Sequence, residues 1–248
     1  MARNRRQGVL GALLDPIQSL CYGQRHSLKR PDDGEDMAEV LKVDTDDTER
    51  LEFLLEYATR TILAGKVLAF PTDTFYGLGA DPFNLAAVSE IFRIKRRTTE
   101  RALPLLVASL DQAADLANDP PAQFFELAKR FWPGPLTMVV PASRQIPLKV
   151  TANTGKVGLR WPKAPLAVAL IAAADRPLTG TSANLSDCPA CTSAQEVEEQ
   201  MGNELPLILD GGVTSGKLAS TVIDLTGKRG RILRAGKIPA SQLKEFLA

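Results

Sequence analysis

Two short polar segments each follow an apolar stretch and carry side chains that could bind an anion. They read PTDTFYGLG at residues 71–79 and TGTSAN at residues 179–184. Between them in the chain lies a basic cluster formed by Arg93, Lys95, Arg96, Arg97 and Arg101. Hydroxyl and amide donors at strand ends, together with arginines that grip phosphate through two nitrogens, are typical of sites for phosphorylated ligands. The residues alone therefore predict an anion-binding pocket.

A third segment has the spacing of a phosphate-binding P-loop but lacks two of its features. It reads GGVTSGK at residues 211–217. A P-loop needs Ser or Thr after the lysine to bind magnesium, and this chain has Leu218. A P-loop also opens a helix, whereas residues 220–225 have the pattern of a strand. We therefore expect no P-loop here.

The cysteines and the histidine limit the possible catalytic chemistry. Cys188 and Cys191 have the spacing of half a zinc site or of a redox pair, but the chain contains three cysteines in all. We interpret the pair as two thiols in a polar surface loop and predict no metal-binding side chains. The single histidine, His26, precedes the patterned part of the chain. This excludes the usual Ser-His-Asp and Cys-His sites there, so catalysis must depend on positioning and charge.

Charge and hydropathy give the broad class of protein. A formal net charge of +1 produces no overall field that would attract nucleic acid or an anionic membrane, so any basic site must be local. The apolar stretch at residues 165–174 is far shorter than the roughly 20 residues that a membrane-spanning helix needs. So few cysteines suit a reducing compartment. We therefore expect a cytoplasmic protein with no membrane partner.

Helical and strand patterns are mixed along the chain and predict an α/β protein. Apolar periodicity predicts helices at residues 48–63, 85–97, 109–117, 122–131, 166–174, 192–201 and 240–247. Short apolar runs predict strands at residues 67–70, 104–107, 136–140, 157–160, 178–179, 205–209, 221–225 and 232–234. Elements mixed in this way favour one layered domain with a twisted, largely covered sheet.

The N-terminal segment differs from the rest in composition. Residues 1–40 are rich in Arg, Asp, Gly and Gln and lack sustained periodicity, which predicts a disordered extension before a domain at residues 45–248. Met37 stands just before the first patterned segment. We hypothesise that Met37 is the true start and that residues 1–36 are not translated.

Several motifs together resemble the YrdC-like family of threonylcarbamoyl-AMP synthases. In the family's usual order, they are PTDTFYGL (71–78), KRR (95–97), FWPGPLT (131–137), VGLRWP (157–162), TSANLS (181–186), STV (220–222) and LRAG (233–236). An ordered set of this kind is far more specific than any single short motif. The resemblance implies a single YrdC-like domain whose twisted mixed sheet, flanked by helices, surrounds a basic cleft.

The resemblance also implies the site residues. The positions expected to contact ATP are Lys95, Arg97, Arg101, Thr137, Ser182, Asn184, Thr192 and Arg234, and the first three are expected to stabilise charge in catalysis. The positions expected to hold L-threonine are Thr74, Arg160, Ser182 and Ser220. One position departs from the pattern, because many relatives carry a histidine on the strand where this chain has Leu106. That difference keeps altered substrate use open.

The implied reaction joins L-threonine, bicarbonate and ATP, with Mg²⁺ as the divalent metal that accompanies the nucleotide. The threonine amine adds to carbon dioxide or bicarbonate, and the resulting carbamate attacks the α-phosphate and expels pyrophosphate. The product would pass to the machinery that transfers the threonylcarbamoyl group to adenosine 37 of tRNA. Two alternatives remain: a module that binds tRNA or double-stranded RNA, and a paralogue that acts on threonylcarbamoylated tRNA.

The hypothesis about Met37 can be tested on the native protein. If translation starts there, mass spectrometry of the intact chain and of its peptides finds Met37, or the residue after it, at the N-terminus. A peptide from residues 7–24 would contradict the hypothesis.

Overall fold

A computed structural model describes residues 37–97 and 101–247 of the chain. In chain order its strands and longer helices are β1 Glu39–Lys42, α1 Thr48–Leu63, β2 Leu68–Pro71, β3 Tyr76–Gly79, α2 Leu85–Ile94, β4 Leu105–Leu106, α3 Leu110–Asp115, α4 Ala122–Phe131, β5 Leu136–Pro141, β6 Lys156–Arg160, α5 Pro165–Ala174, β7 Leu178–Thr179, β8 Thr181–Ser182, α6 Ala194–Met201, β9 Leu207–Asp210, β10 Thr221–Asp224 and β11 Arg231–Arg234. Single 3₁₀ turns span Gly202–Glu204, Ala240–Gln242 and Lys244–Phe246.

The strands form two mixed sheets. The first has the order β1-β9-β2-β3-β8, and the second has the order β11-β10-β5-β6-β4-β7. Parallel pairs such as β5 with β10 occur beside antiparallel pairs such as β5 with β6. The predicted mixed α/β class is therefore confirmed, and the strands divide between two sheets where the pattern predicted one.

Two apolar clusters hold the layers together. One covers a single face of the first sheet, where β2 contributes Leu68 and Phe70 and packs against Ile62 of α1 and Leu170 of α5. The larger cluster joins the opposite face of that sheet to the second sheet, with Leu78 and Met138 among its fully buried members. Burial of this apolar surface is the main favourable term in folding. The site is built at the edge of this core, where both sheets end in polar residues.

Local signals explain most of the helix starts. The side chain of Asn84 accepts hydrogen bonds from the backbone N–H groups of Ala86 and Ala87, so it caps α2 as predicted. Ser193 caps α6 by accepting from the backbone of Glu196. The Glu196 carboxylate accepts in return from the backbone of Thr192, which gives a close variant of the capping box.

Several elements differ from the predicted pattern. Glycines at 77 and 79 hid β3, which was predicted as part of a turn. The predicted helix at residues 85–97 ends at Ile94. The predicted helix at residues 240–247 is replaced by two short 3₁₀ turns.

The fold begins before the predicted domain start at residue 45. Strand β1, at Glu39–Lys42, pairs in parallel with β9, so part of the predicted extension belongs to the first sheet. The predictions for residues 1–36 lie outside the described residues. Among the helices of the described ranges, none has both the length and the apolar character needed to cross a lipid bilayer.

Packing at β3 gives a stability prediction. A methyl group on Gly79 would come within 2.5 Å of a ring carbon of Phe70, which is fully buried. Gly79→Ala should therefore lower the free energy of unfolding by about 1–3 kcal/mol, as overpacking of a core does. Chemical denaturation measures the change. Gly77→Ala is the control on the same strand, because its methyl group would meet no atom closer than 3.5 Å. Equal stability of the two variants would contradict this account of the packing.

Candidate active site

One face of the second sheet forms the floor of a cavity of about 790 Å³. Side chains alternate between the two faces of a strand. On β5, therefore, Leu136 and Met138 point into the core while Thr137 points into the cavity. Val222 of β10 pairs with Thr137 on one side and with Arg234 of β11 on the other. Alternation thus separates a polar floor from an apolar core.

Paired residues of neighbouring strands continue the cavity floor on the other side of β5. Leu159 of β6 pairs with Met138, so the adjacent residues Thr137 and Arg160 stand side by side. Arg160 in turn pairs with Leu106 of β4. Gly158 lies two residues before Arg160 and leaves space on the floor, since a methyl group there would come within 3.3 Å of the side chain of Thr137. The walls come from the β2–β3 turn and from the segment that begins at β8.

Arg160 is buried at the end of the cavity nearest the β2–β3 turn. Its Nε donates to the carbonyl of Gly134 at 3.3 Å, and its two Nη atoms donate to the hydroxyl of Thr74, each at 3.3 Å. Nη2 also lies 2.5 Å from an oxygen of Asp73. Burial lowers the pKa of the guanidinium, the Asp73 carboxylate opposes that shift, and the nearby charge of Arg234 adds to it. Gly134, Thr74 and Asp73 therefore together fix the position of the guanidinium.

A second hydrogen-bonded chain crosses the floor beside it. Nη2 of Arg234 donates to the hydroxyl of Ser220 at 2.9 Å. That hydroxyl lies 2.8 Å from the hydroxyl of Thr137. Ser220 and Thr137 are both buried, and either hydroxyl can be the donor in this contact. The two chains bring guanidinium and hydroxyl groups from separate strands to one surface.

Lys95 supplies a buried positive charge at the opposite wall. Its Nζ donates to the carbonyls of Ser182 at 2.6 Å and of Asn184 at 2.7 Å, and it lies 3.4 Å from the side-chain oxygen of Asn184. The side chain is 3% exposed. Burial, and next the charge of Arg97, lower the pKa of the Lys95 ammonium to about 8. The lysine thus links residues 182–184 to the end of α2 and places a positive charge beside the cavity.

The backbone at the C-terminal end of α2 determines where the basic side chains point. The N–H of Arg97 donates to the carbonyl of Phe92, and the N–H of Arg96 donates to the carbonyl of Arg93. This is a Schellman motif, in which the residue after the cap takes the left-handed conformation. Arg96 has φ of 49°, a value that a side chain with a Cβ rarely adopts. The reversal at Arg96 ends the helix and lets Lys95 and Arg97 both line the cavity.

Arg97 and Arg101 complete the basic wall. Nη2 of Arg97 donates to the carbonyls of Arg101 at 2.8 Å and of Ala102 at 3.3 Å. Its Nε is buried and has no hydrogen-bond acceptor among the described residues. Burial, and then the charge of Arg101, lower the pKa of Arg97. An anion at this wall would therefore meet two guanidinium groups.

The cavity gathers the predicted site residues with one exception. It is lined by Thr74, Lys95, Arg97, Arg101, Thr137, Arg160, Ser182, Asn184, Ser220 and Arg234. Thr192 is not in the lining, because its hydroxyl contacts the carboxylate of Glu196 and its carbonyl accepts from Thr214. Its predicted contact with ATP stays a prediction. Leu106 is buried and presents an apolar wall, with Gly180 packed directly against it.

Sequence reasoning missed residues that hold the predicted ones in place. Asp73 was part of the quoted motif, yet nothing in its neighbourhood in the chain indicates a contact with Arg160. Asp224 and Lys156 also line the cavity and form an ion pair of 3.3 Å at the end remote from Arg160. Alternation along β6 and β10 is the signal that could have placed these two on the cavity face.

The two rejected motifs can be compared with the structure. The 211–217 segment forms an irregular loop that leads into β10, so the prediction that it is not a P-loop is confirmed. Cys191 is fully buried, so the predicted exposed thiol is wrong at this position. Burial raises the pKa of the Cys191 thiol to about 12, with a smaller contribution from Glu196. Such a thiol packs as a small apolar side chain.

The lowered pKa of Lys95 predicts a pH dependence for anion binding. Below pH 8 the ammonium is charged, and as the pH rises through 8 the free protein loses that charge. Affinity for inorganic triphosphate, measured by calorimetry, should therefore fall as the pH is raised from 7 to 9. Lys95→Met should bind more weakly and lose this part of the pH dependence. An identical pH profile in the two proteins would exclude Lys95 as its source.

The comparisons with known proteins agree with this arrangement. The family model of the Sua5, YciO and YrdC proteins, described as telomere recombination, matches residues 60–236. The threonylcarbamoyl-AMP synthase of Pyrococcus abyssi (strain GE5 / Orsay) is 40% identical over 196 residues, which cover 79% of this chain and 58% of the relative. The enzyme of the same name from Bacillus subtilis (strain 168) is 35% identical over 204 residues, which cover 82% of this chain and 59% of the relative.

A solved structure gives the same result in three dimensions. The crystal structure of P. abyssi Sua5 complexed with L-threonine superposes with a TM-score of 0.79 at 37% identity, covering 85% of this chain and 60% of the other. This chain spans less than two thirds of the length of these relatives. The match over most of this chain confirms the resemblance that the motifs indicated, and the chain belongs to the Sua5/YciO/YrdC family.

Proposed function

We propose that this protein is a threonylcarbamoyl-AMP synthase, a nucleotidyltransferase that uses L-threonine, bicarbonate and ATP. The observation that carries the proposal is the convergence of Arg160, Thr74, Ser220, Lys95 and Arg97 on one cavity although they belong to separate elements. Relatives named threonylcarbamoyl-AMP synthase share the family, and the superposed P. abyssi protein was crystallised with L-threonine.

The cavity divides naturally between the two ligands. A threonine carboxylate would lie against Arg160 and the hydroxyl of Ser220, since guanidinium and hydroxyl donors suit a carboxylate, and Thr74 would lie beside it and hold Arg160. The triphosphate would lie along the basic wall of Lys95, Arg97 and Arg101. The two ligands would then adjoin each other, so that the carbamate oxygen could reach the α-phosphate. Ser182 and Asn184 would bind beside the lysine, and Thr137 and Arg234 would bind from the floor.

The chemistry needs no protein nucleophile. The threonine amine attacks the carbon of carbon dioxide and loses a proton, or attacks bicarbonate with loss of water, and either route forms a carbamate. A carbamate oxygen then bonds to the α-phosphorus, and the bond to the β-phosphate oxygen breaks and releases pyrophosphate. Holding the reactants in contact accounts for much of such a rate enhancement, and fixed positive charge accounts for much of the remainder. The arginines and the lysine provide that charge.

The donor groups fit Mg²⁺ that arrives with the nucleotide. Mg²⁺ in nucleotide sites is held chiefly by phosphates and water, with one or two carboxylates. Among the described residues, two carboxylates line the cavity: Asp224, which already accepts from Thr226 and Lys156, and Asp187. No group of three or more potential ligand side chains occurs in the described part of the chain. The ion would neutralise charge on the departing pyrophosphate.

A direct assay tests the proposal. The purified protein is incubated with ATP, bicarbonate and labelled L-threonine, and the adenylate and pyrophosphate are measured together. Stoichiometric formation of both products supports the proposal. ATP-independent binding of tRNA or double-stranded RNA, without either product, would favour the binding module instead. Consumption of threonylcarbamoylated tRNA without adenylate formation would favour the paralogue. A cytoplasmic location and transfer to tRNA belong to the same proposal.

The basic wall gives a prediction about turnover. Arg97→Ala should lower kcat on the order of a hundredfold, because it removes a donor that stabilises charge in the transition state. Pyrophosphate release under saturating substrates measures the change. Arg60→Ala is the matched control, since this exposed arginine pairs only loosely with Glu56 on the surface of α1. Unaltered release by the Arg97→Ala protein would reject the role.

A further inference from the structure

The β2–β3 turn contains a buried carboxylate that the proposed chemistry does not use. Asp73 lies outside the cavity lining, and its side chain is 11% exposed. One of its oxygens lies 2.5 Å from Nη2 of Arg160. The other oxygen, Oδ2, is buried and has no hydrogen-bond donor among the described residues.

Fold stability does not explain this arrangement. Taking an ion pair out of water costs about as much as the attraction returns, so buried pairs contribute little net stability. An acceptor left without a partner adds a further penalty. Such a carboxylate is expected where a charged side chain has to be held in one orientation for a ligand.

The hydrogen bonds of Arg160 show which orientation is held. A guanidinium has five N–H groups. The edge formed by Nε and Nη2 faces the carbonyl of Gly134 and the carboxylate of Asp73, and the edge formed by Nη1 and Nη2 faces the hydroxyl of Thr74. One N–H of Nη1 has no acceptor among the described residues and remains for a ligand. Without Asp73, the guanidinium could rotate away from this arrangement.

The hydroxyls of the turn are also fixed in direction. The Thr72 hydroxyl donates to the carbonyl of Phe75 at 2.7 Å. In the 3.1 Å contact between the two threonines, the proton must therefore come from Thr74. Thr74 consequently accepts from Arg160 and donates to Thr72.

The backbone of the turn is anchored by the 211–220 loop and by a lysine. The carbonyl of Asp73 accepts from the hydroxyl of Ser215 at 3.0 Å and from Nζ of Lys237 at 3.1 Å. The carbonyl of Thr74 accepts from the N–H of Gly216 at 2.9 Å. The carboxylate is therefore presented to Arg160 from a backbone that cannot easily turn.

We propose that Asp73 is a positioning residue, which holds the Arg160 guanidinium in the orientation that receives the carboxylate of the amino-acid substrate. This inference rests on the proposed function, because it assigns the amino-acid carboxylate to Arg160. Asp73 acts through Arg160 and does not touch the substrate. Its loss should affect the amino acid and leave the nucleotide end of the cavity intact.

The test compares Asp73→Asn with the wild type in two separate measurements on the full chain. The KM for L-threonine should rise on the order of tenfold to a hundredfold, as expected when a binding group is misplaced by about 1 Å. The Kd for ATP, measured by calorimetry without threonine, should stay unchanged or fall, since the variant removes a negative charge near the cavity. Equal losses for both ligands, or an unchanged KM for threonine, would overturn the proposal.

Asp81→Asn is the matched control for a merely structural effect. Asp81 forms a 2.5 Å pair with Arg176, its side chain is 9% exposed, and neither residue lines the cavity. Both variants should have lower thermal midpoints than the wild type. Only Asp73→Asn should raise the KM for threonine, and the same rise in Asp81→Asn would overturn the positioning role.

A second variant decides the matter if Asp73→Asn does not fold. Asp73→Glu keeps the charge but displaces the carboxylate by one methylene group, so the KM for threonine should rise, by less than in the Asn variant, at unchanged ATP affinity. Wild-type values for both ligands in Asp73→Glu would overturn the proposal. Direct calorimetry of the wild type with L-threonine distinguishes failure of this inference from failure of the proposed function. If the wild type does not bind L-threonine, both are rejected. If the wild type binds L-threonine and the Asp73 variants have wild-type KM values, only this inference is rejected.

Discussion

Burial of the Arg160 guanidinium is the constraint on which the rest of the site depends. A guanidinium keeps its charge in almost every protein environment, so it can be buried only where acceptors surround it. Those acceptors come from the β2–β3 turn and from the segment before β5, which are distant in the chain. The two sheets must therefore meet at this point, and their meeting creates the cavity. The position of the site therefore follows from the groups that are needed to bury Arg160.

The sheet architecture lets the same strands place polar side chains in the cavity and apolar side chains in the core. Alternation sends Met138 into the core and Thr137 into the cavity from adjacent positions of β5. Polar side chains on the cavity face then bond to one another, as Thr137 does to Ser220. Fully paired groups of this kind keep their positions, which favours ligand binding because little order has to be created when the ligand arrives.

Sequence patterns predicted the α/β class and most of the helices, because those depend on periodicity that neighbouring residues share. The site residues came mainly from ordered motifs, and all except Thr192 line one cavity. Patterns failed where long-range contacts decide the structure. β3 is glycine-rich and forms only because β2 and β8 pair with it, and the role of Asp73 requires a partner on β6. The left-handed Arg96 was equally hidden, since glycine is the usual signal for that conformation.

The contact between Leu106 and Gly180 restricts which residues can occupy the two positions together. A methyl group at position 180 would lie 2.5 Å from Cγ of Leu106, so the two positions share a single volume. A bulkier residue at 106 is compatible with glycine alone at 180, and any side chain at 180 demands a smaller residue at 106. Any change to the shape of this wall must therefore vary the two positions as a pair. A scan that changes one position at a time would miss the combinations that reshape the wall.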